Sequence, residues 1–517
     1  MKLFKKFLFC VCASALALGF ASCGDDEDDP VPTPTPDITV EEKEVKLSDA
    51  DASSADVTFN ASETWKATSD AGWCTVSPSQ GTNGNSKKVT ISVTENTSKD
   101  ARVAHVTVKT INGGKLMVNV TVSQPGFVEK PSEDVDPNAP DGMKSTGMGI
   151  AKKIKVGWNL GNTGEATDEW TDAQGVKHGN NAYVEGGANL FTETSWQNAK
   201  TTKEMFTALK NAGFNAIRVP VRWYRHADAN LNINKEWMAR VKEIVDYAVS
   251  QDMYVILNSH HDNWYDRLPV SYNETDIHAK FKNMWTQIAS SFKDYDEHLI
   301  FAAANEIISV SSSGSENWGN PTDTHYKFVN DLMQLFVTTV RATGGNNEWR
   351  CLMVQPWACN PSFAINDKFI LPKDSKQNRL IVEYHCYDPY NYAIGKGQKD
   401  NKYAQHEPSQ NDLNYVSTNF SKLNSKFVAK GIPCIMAEFG STQDNNYSKG
   451  NDAADKIRAD YHTFIVKEAK KYNIPGFYWD NYCFDTSGEN FGLLDRKNCN
   501  FPARAKIALQ GIMDGLK

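Results

Sequence analysis

The sequence predicts two folded units in series: a small all-β immunoglobulin-like sandwich, then an α/β (β/α)8 TIM barrel. Three observations carry this. Residues 37–126 consist of short Val/Thr-rich runs broken by Gly, Asn and Ser turns, the texture of a sandwich. From residue 147 to 517 the texture changes to strand–helix alternation, with eight apolar, β-branched runs, as a barrel requires. No Gly-rich phosphate loop follows the first of those runs, which argues against the competing doubly wound open sheet.

Residues 1–22 read as a signal peptide. Lys2, Lys5 and Lys6 form its basic start, and the apolar run Phe7 to Ala21 is too short and too early for a mature membrane span. Phe20-Ala21-Ser22-Cys23 resembles a bacterial lipoprotein cleavage box, with Phe20 where leucine is usual. That resemblance implies acylation of Cys23 and an outer-membrane lipoprotein exposed at the cell surface, attached through this anchor alone. The competing reading is an ordinary signal peptide with a chance cysteine. Residues 23–36 are then a lipidated tether, first acidic (Asp25 to Asp29) and then polyproline-like (Pro30 to Pro36). The acidic run resembles a surface-export tag and serves equally as a solvated spacer.

In the β-unit, Val57-Phe59, Lys88-Val93, Val103-Lys109 and Leu116-Val122 are the clearest strands. Trp65, Gly72-Trp73, Val76-Ser77-Pro78, Gly81, Asn96, Arg102 and Val122-Ser123-Gln124 resemble a BACON-type module. Such modules often precede carbohydrate-active enzymes and are suspected to bind glycans or to space them from the surface. Trp65 and Trp73 are expected in the core, with sugar platforms as the alternative. Residues 127–146, rich in Pro, Asp and Ser without periodicity, are expected to form a linker.

The barrel strands are expected at Lys155-Leu160, Ala216-Pro220, Tyr254-Asn258, Leu299-Ala304, Cys351-Gln355, Leu380-Tyr384, Pro433-Ala437 and Gly476-Trp479. Amphipathic helices separate most of them. Met205, Phe206, Leu209 and Ala212 share one face, as do Trp237, Val241, Ile244, Val245 and Ala248. Gly213 and Gly344 stand where helix C-caps belong.

Charge and cysteine usage narrow the function. Net charge is −8, and the basic residues are scattered, which argues against nucleic acid as a partner. Of ten cysteines, Cys10 and Cys12 leave with the signal peptide and Cys23 would carry lipid. The other seven form no C-x-x-C pair, so neither zinc ligation nor a full disulfide framework is suggested; Cys351, Cys386 and Cys434 are expected as buried small hydrophobes.

Barrel chemistry sits at the C-terminal ends of the strands. Those ends read Asn159-x-x-Asn162-x-x-Glu165, Arg218, His260-His261, Asn305-Glu306, Trp357, His385-x-Tyr387, Glu438 and Trp479. Two glutamates, on the fourth and seventh strands, should face each other across the mouth. Paired carboxylates are what glycoside hydrolysis needs: one protonated to release the leaving oxygen, one ionised to attack the anomeric carbon. Glu306 is expected as the acid/base, held protonated by burial and its like-charged neighbour, and Glu438 as the nucleophile, held ionised by Arg218 and Tyr387. Asn305 can donate to a sugar 2-hydroxyl and Trp479 offers a flat apolar face. Taken singly, Asn305-Glu306 reads as a helix start, Glu438 as a surface strand end, and His260-His261 as structural residues or metal ligands.

The ordered set Asn159-Leu160-Gly161-Asn162, Arg218-Val219-Pro220, His260-His261, Asn305-Glu306, His385-x-Tyr387, Glu438-Phe439-Gly440 and Trp479-Asp480-Asn481 resembles glycoside hydrolase family 5 across the whole barrel. The resemblance implies the same two glutamate roles, with Arg218, His260, Asn305, His385, Tyr387 and Trp479 as shared site residues. It departs at Ile307, where proline is usual, and at Gly164, where leucine is common. The loop Gly161 to Ala166 resembles the β-1,4-glucanase branch, which includes xyloglucan-active enzymes. Asn162 and Glu165 would then reach equatorial glucose hydroxyls, the alternative for Glu165 being a solvated loop carboxylate. Aromatics such as Trp170, Trp264, Trp357 and Tyr390 suggest an open cleft and endo cleavage of a plant β-glucan, with xyloglucan and mixed-linkage β-glucan first, cellulose derivatives next and mannan last. No cofactor or metal is expected, and a monomer is. The alternatives are a non-catalytic surface glycan-binding protein and a metal-dependent barrel hydrolase.

Overall fold

The computed structural model describes residues 38–40, 43–47, 52–111, 117–126, 134–171, 177–178, 182–196, 198–397, 402–484 and 488–517. The signal peptide, Cys23, the tether and residues 127–133 lie outside the described residues. The chain divides into two units, Met1–Glu129 and Lys130–Lys517.

The first unit is built from two sheets. One orders the strands Ile38–Val40, Ser53–Ala61, Gly84–Val93 and Cys74–Ser77; the other orders Glu44–Lys46, Met117–Gln124, Arg102–Thr110, Trp65–Ser69 and Gln80–Gly81. All pairings are antiparallel except that of Glu44–Lys46 with Met117–Gln124. Strand Arg102–Thr110 shows why the sheets stack: Ala104, Val106 and Val108 are buried while His105 and Lys109 face water. Trp65 is core, edge-on to Phe59 at 4.8 Å with its indole N–H donated to Thr82 O at 3.1 Å. Gly81 leaves room for that indole, since a Cβ there would lie 2.5 Å from its ring. Trp73 is half-buried beneath the Arg102 guanidinium, 4.2 Å above its ring.

The second unit is a closed barrel of eight parallel strands, labelled here β1 (Gly157–Leu160), β2 (Ala216–Val219), β3 (Tyr254–Asn258), β4 (Leu299–Ala302), β5 (Leu352–Val354), β6 (Leu380–Cys386), β7 (Cys434–Phe439) and β8 (Gly476–Asp480). Closure pairs Gly157 with Phe477 and Asn159 with Trp479. Each strand is buried on both faces, which is why the sequence shows continuous apolar runs rather than alternation. Ala216, Ile256, Ile300, Met353, Ile381, Ile435 and Phe477 fill the barrel interior, while Ile217, Val255, Leu257, Phe301 and Val382 pack outward against the helices. Helix Lys235–Val249 buries the expected stripe Trp237, Val241, Ile244, Val245 and Ala248, and Gly213 follows helix Lys203–Asn211 at φ 109°, a conformation that favours glycine.

The expected linker 127–146 needs correction. Its second half is a structured collar of the barrel unit. Val135 bridges Ser145, the buried Arg379 donates to the carbonyls of Met143 (2.8 Å) and Ser145 (2.6 Å), and Glu297 accepts the Ser145 N–H at 2.7 Å. Helix Gly147–Lys153 then buries Ile150 with the residues of the barrel interior.

Candidate active site

The strand phases decide what reaches the barrel mouth. On β6, Ile381 points inward, so Glu383 and His385 do too, two and four residues later. On β7, Ile435 points inward and Met436 outward, and unbroken alternation would send Glu438 to the helix layer. A β-bulge prevents it. Tyr384 pairs with Met436 but His385 pairs with Glu438, so Ala437 is the extra residue and Glu438 regains the inner face.

Arg218 organises the floor. Its guanidinium, fully buried, donates through Nη1 to Glu438 Oε1 (2.7 Å) and Asn159 Oδ1 (3.0 Å), and through Nη2 to Asn305 Oδ1 (2.8 Å) and Glu383 Oε1 (3.1 Å). The Tyr387 hydroxyl donates to the other Glu438 oxygen at 2.9 Å. His385 Nδ1 lies 2.8 Å from Glu306 Oε1 and 3.5 Å from Glu438 Oε2. Ligand-type atoms of Glu306, His385 and Glu438 all fall within 4.8 Å of one another, so the two carboxylates meet across the mouth. Asn305 keeps its amide Nδ2 buried and without a partner among the described residues.

Burial pushes the Glu438 carboxyl above its ordinary range, and the Glu306 charge adds to this. His385, Arg218 and the Tyr387 hydrogen bond oppose it without cancelling it. Burial is the larger influence on this carboxyl, and the two hydrogen-bond partners, Arg218 and Tyr387, do not fully offset it. His260 and His261 are held well below their ordinary values, by burial first and then by neighbouring cations, so both are neutral. His260 lies parallel to Trp479 with ring centres 5.7 Å apart.

These residues open into a cavity of about 660 Å³, lined among others by His261, Asn305, Glu306, Glu438 and Trp479. Three expected ligand contacts do not reach it. Trp357 is 0% exposed and stacks on His325 at 4.3 Å, because the chain after β5 turns it into the helix layer. Glu165 is folded into its own loop, its carboxylate accepting the backbone N–H groups of Asn162 and Thr163. Burial raises that carboxyl to about 7. Asn162, at φ 57°, gives its carbonyl to Asn198 and does not line the cavity. Gly164 is explained by the same loop: a Cβ there would meet Pro220 O at 2.5 Å. Trp264 packs half-buried against the core, and the side chain of Trp170 is outside the described residues.

Sequence reasoning missed other lining residues. Arg267, Glu316 and Trp318 belong to a small sheet of Arg267–Pro269, Ile308–Val310 and Glu316–Asn317 with its adjoining turn. Arg267 donates to Glu306 O (2.8 Å) and Glu316 (3.0 Å), beneath the 42% exposed Trp318. Tyr390, expected as a cleft aromatic, lines the cavity at 48% exposure. Cys359 lies under Asn305, its thiol donating to Asn305 O at 3.1 Å.

Among the described residues, two side-chain groups bring three potential metal ligands together: Glu306, His385 and Glu438, and Cys359, Glu383 and His385. In each, a carboxylate already pairs with Arg218, which a cation would have to displace.

Comparison with known proteins agrees with this geometry. The cellulase model of glycosyl hydrolase family 5 matches residues 177–485, and a viral BACON domain model matches residues 37–126. Endoglucanase B of Ruminococcus albus is 39% identical over 351 residues, 67% of this chain and 76% of its own. A xyloglucan-specific endo-β-1,4-glucanase of Bacteroides ovatus is 32% identical over 466 residues, 87% of this chain and 86% of its own. Among solved structures, a Bacteroides ovatus family 5 xyloglucanase with a XXXG heptasaccharide superposes at TM-score 0.62, 29% identical over 93% of this chain and all of that one. A family 5 lichenase of Caldicellulosiruptor with cellotetraose gives 0.63, at 35% identity over 76% of this chain and 99% of that one. With paired glutamates at the ends of the fourth and seventh strands of a closed barrel, the chain belongs to glycosyl hydrolase family 5 and is a glycoside hydrolase.

Proposed function

We propose that this enzyme hydrolyses the backbone of β-1,4-linked glucans internally, with retention of anomeric configuration. One observation carries the reading: carboxylate oxygens of Glu306 and Glu438 approach within 4.8 Å, near the roughly 5–5.5 Å spacing of retaining pairs and short of the roughly 6.5–9.5 Å of inverting ones. Glu438 is the nucleophile. Arg218 and Tyr387 each bind one of its oxygens, fixing its orientation and favouring its ionised form against burial. Glu306 is the acid/base: it donates a proton to the leaving oxygen as Glu438 bonds to the anomeric carbon, then takes a proton from the water that releases the glycosyl-enzyme. The free Asn305 amide is suited to the sugar 2-hydroxyl, and Trp479 to a pyranose face.

Xyloglucan and mixed-linkage β-glucan rank first as substrates. The open cavity and the relatives active on those polymers support this, whereas the contacts once expected of Asn162 and Glu165 no longer do. Cys23 acylation and display on the outer membrane belong to the same reading, supported by the lipoprotein-like box at residues 20–23. Glu438→Gln should abolish turnover while retaining polysaccharide binding. Proton NMR of fresh products should show the β-anomer first; an initial α-anomer refutes retention, and faster cleavage of pure mannan than of any glucan refutes the substrate order.

A further inference from the structure

Beneath the two glutamates lies a third carboxylate that the mechanism above leaves unused. Glu383 is 0% exposed, two residues before His385 on the inner face of β6. Its Oε1 lies 3.1 Å from Arg218 Nη2 and 3.7 Å from His385 Nε2. Among the described residues, its Oε2 and the His385 Nε2 both lack a hydrogen-bond partner.

The charges around Glu383 do not balance. The buried floor holds one guanidinium, Arg218, against two carboxylates, Glu383 and Glu438. The remaining titratable or charged groups around them are His385 and Tyr387 around β6, Glu306 after β4, His260, His261, Asp266 and Arg267 after β3, Arg222 after β2 and Cys359 after β5; Arg267 is matched by Glu316, and Arg222 by the buried Asp262 and Asp266. The two β3 histidines are neutral, and burial pushes the Cys359 thiol up to about 12, so it stays protonated. Tyr387 is likewise held well above its ordinary value by burial. One negative charge is therefore in surplus, and the Glu306–His385 pair, joined at 2.8 Å, is where a compensating proton can reside. Burial would push His385 down, but the Cys359 thiol beside it, then Glu438 and Glu306, outweigh that and hold it well above its ordinary value.

Resting on the glucanase reading above, we propose that Glu383 is a positioning residue which keeps a proton on Nε2 of His385. Through it, Glu383 sets the pH at which the Glu306–His385 pair loses the proton it shares. His385 Nδ1 is then left to face Glu306 throughout the cycle: it accepts from the protonated acid, stands bare beside the carboxylate once that proton has gone to the leaving oxygen, and accepts again when the attacking water returns a proton to Glu306. Glu383 touches no substrate and changes no bond.

The test is the pH profile of kcat/KM for wild type, Glu383→Gln and Glu383→Asp, on an aryl β-cellobioside and on mixed-linkage glucan. Removing a negative charge about 4 Å from the imidazole should lower the alkaline limb of Glu383→Gln by about one pH unit or more, whereas Glu383→Asp keeps the limb near wild type with a lower kcat. Unmoved limbs in Glu383→Gln, with only kcat reduced, would leave Glu383 a packing residue and overturn the proposal. Should Glu383→Gln fail to fold, ¹⁵N-histidine NMR of wild type decides, with His385 assigned by its loss in His385→Asn. Nε2 must carry its proton through the active pH range, and a bare Nε2 overturns the proposal. Wild type inactive on both substrates would instead defeat the glucanase reading, and the NMR result would still judge Glu383.

Discussion

Replacing Arg218 with lysine tests the site at its centre. The guanidinium reaches four acceptors from two nitrogens: Glu438 and Asn159 on one side, Asn305 and Glu383 on the other. An ammonium cannot span both sides. At least two hydrogen bonds are lost, about 1.5–3 kcal/mol each where the partner is charged. One buried carboxylate also loses its cation, so the fold should be weaker by about 3–5 kcal/mol. If about 3 kcal/mol of that falls on the alignment of Glu438, kcat/KM drops roughly a hundredfold. The pH dependence carries a sign. Folding already raises the proton affinity of Glu438, and withdrawing the guanidinium raises it further, so the acidic limb of the rate profile should move to higher pH. A carboxyl whose affinity rises on folding stabilises the protonated fold and opposes folding once ionised, so the variant's deficit in Tm should be larger at pH 7 than at pH 4. Thermal melts and rate profiles on an aryl β-cellobioside measure both. Arg218→Lys with kcat/KM within tenfold of wild type and an unmoved acidic limb would refute the hub.

Three further outcomes are expected. Glu306→Ala should lose activity on polysaccharide by far more than on aryl glycosides, whose leaving groups need no protonation; equal losses would remove Glu306 from the acid role. Trp357→Ala should cost about 3–5 kcal/mol in denaturant unfolding, because it empties a core site, whereas Tyr390→Ala should leave stability within about 0.5 kcal/mol and raise KM on polymer. The reverse pattern would put Trp357 back in the cleft. Cys23→Ala should release the enzyme from membranes without altering kcat or KM, and persistence in the membrane fraction would mean a second anchor.

The barrel was legible because parallel strands buried on both faces leave unbroken apolar runs, and all eight lie within a few residues of their expected places. The residues meeting at Arg218 were legible as strand-end polar groups. Glu383 was not, since it sits inside an apolar run, although its spacing of two from His385 placed it on the same face. The Ala437 bulge was hidden because periodicity alone does not reveal an inserted residue. Trp357 misled because an aromatic after a strand reads alike whether it turns toward sugar or toward helices. Glu165 misled for a related reason: a loop carboxylate can satisfy its own backbone, as this one does. Trp318 sits on a short Ser- and Gly-rich segment that carried no strand signal.

The collar over residues 134–146 bears on how this chain can be taken apart. Shuffling of modules between enzymes needs a seam where cutting harms neither piece, and composition places that seam anywhere from 127 to 146. The fold narrows it. A cut after Ser145 would leave Arg379 with two buried donors facing absent carbonyls and Glu297 without its backbone partner. A cut before Asp134 keeps every one of these contacts. Natural exchange of the N-terminal module, or its removal by a protease, is therefore tolerated by the barrel only upstream of Asp134.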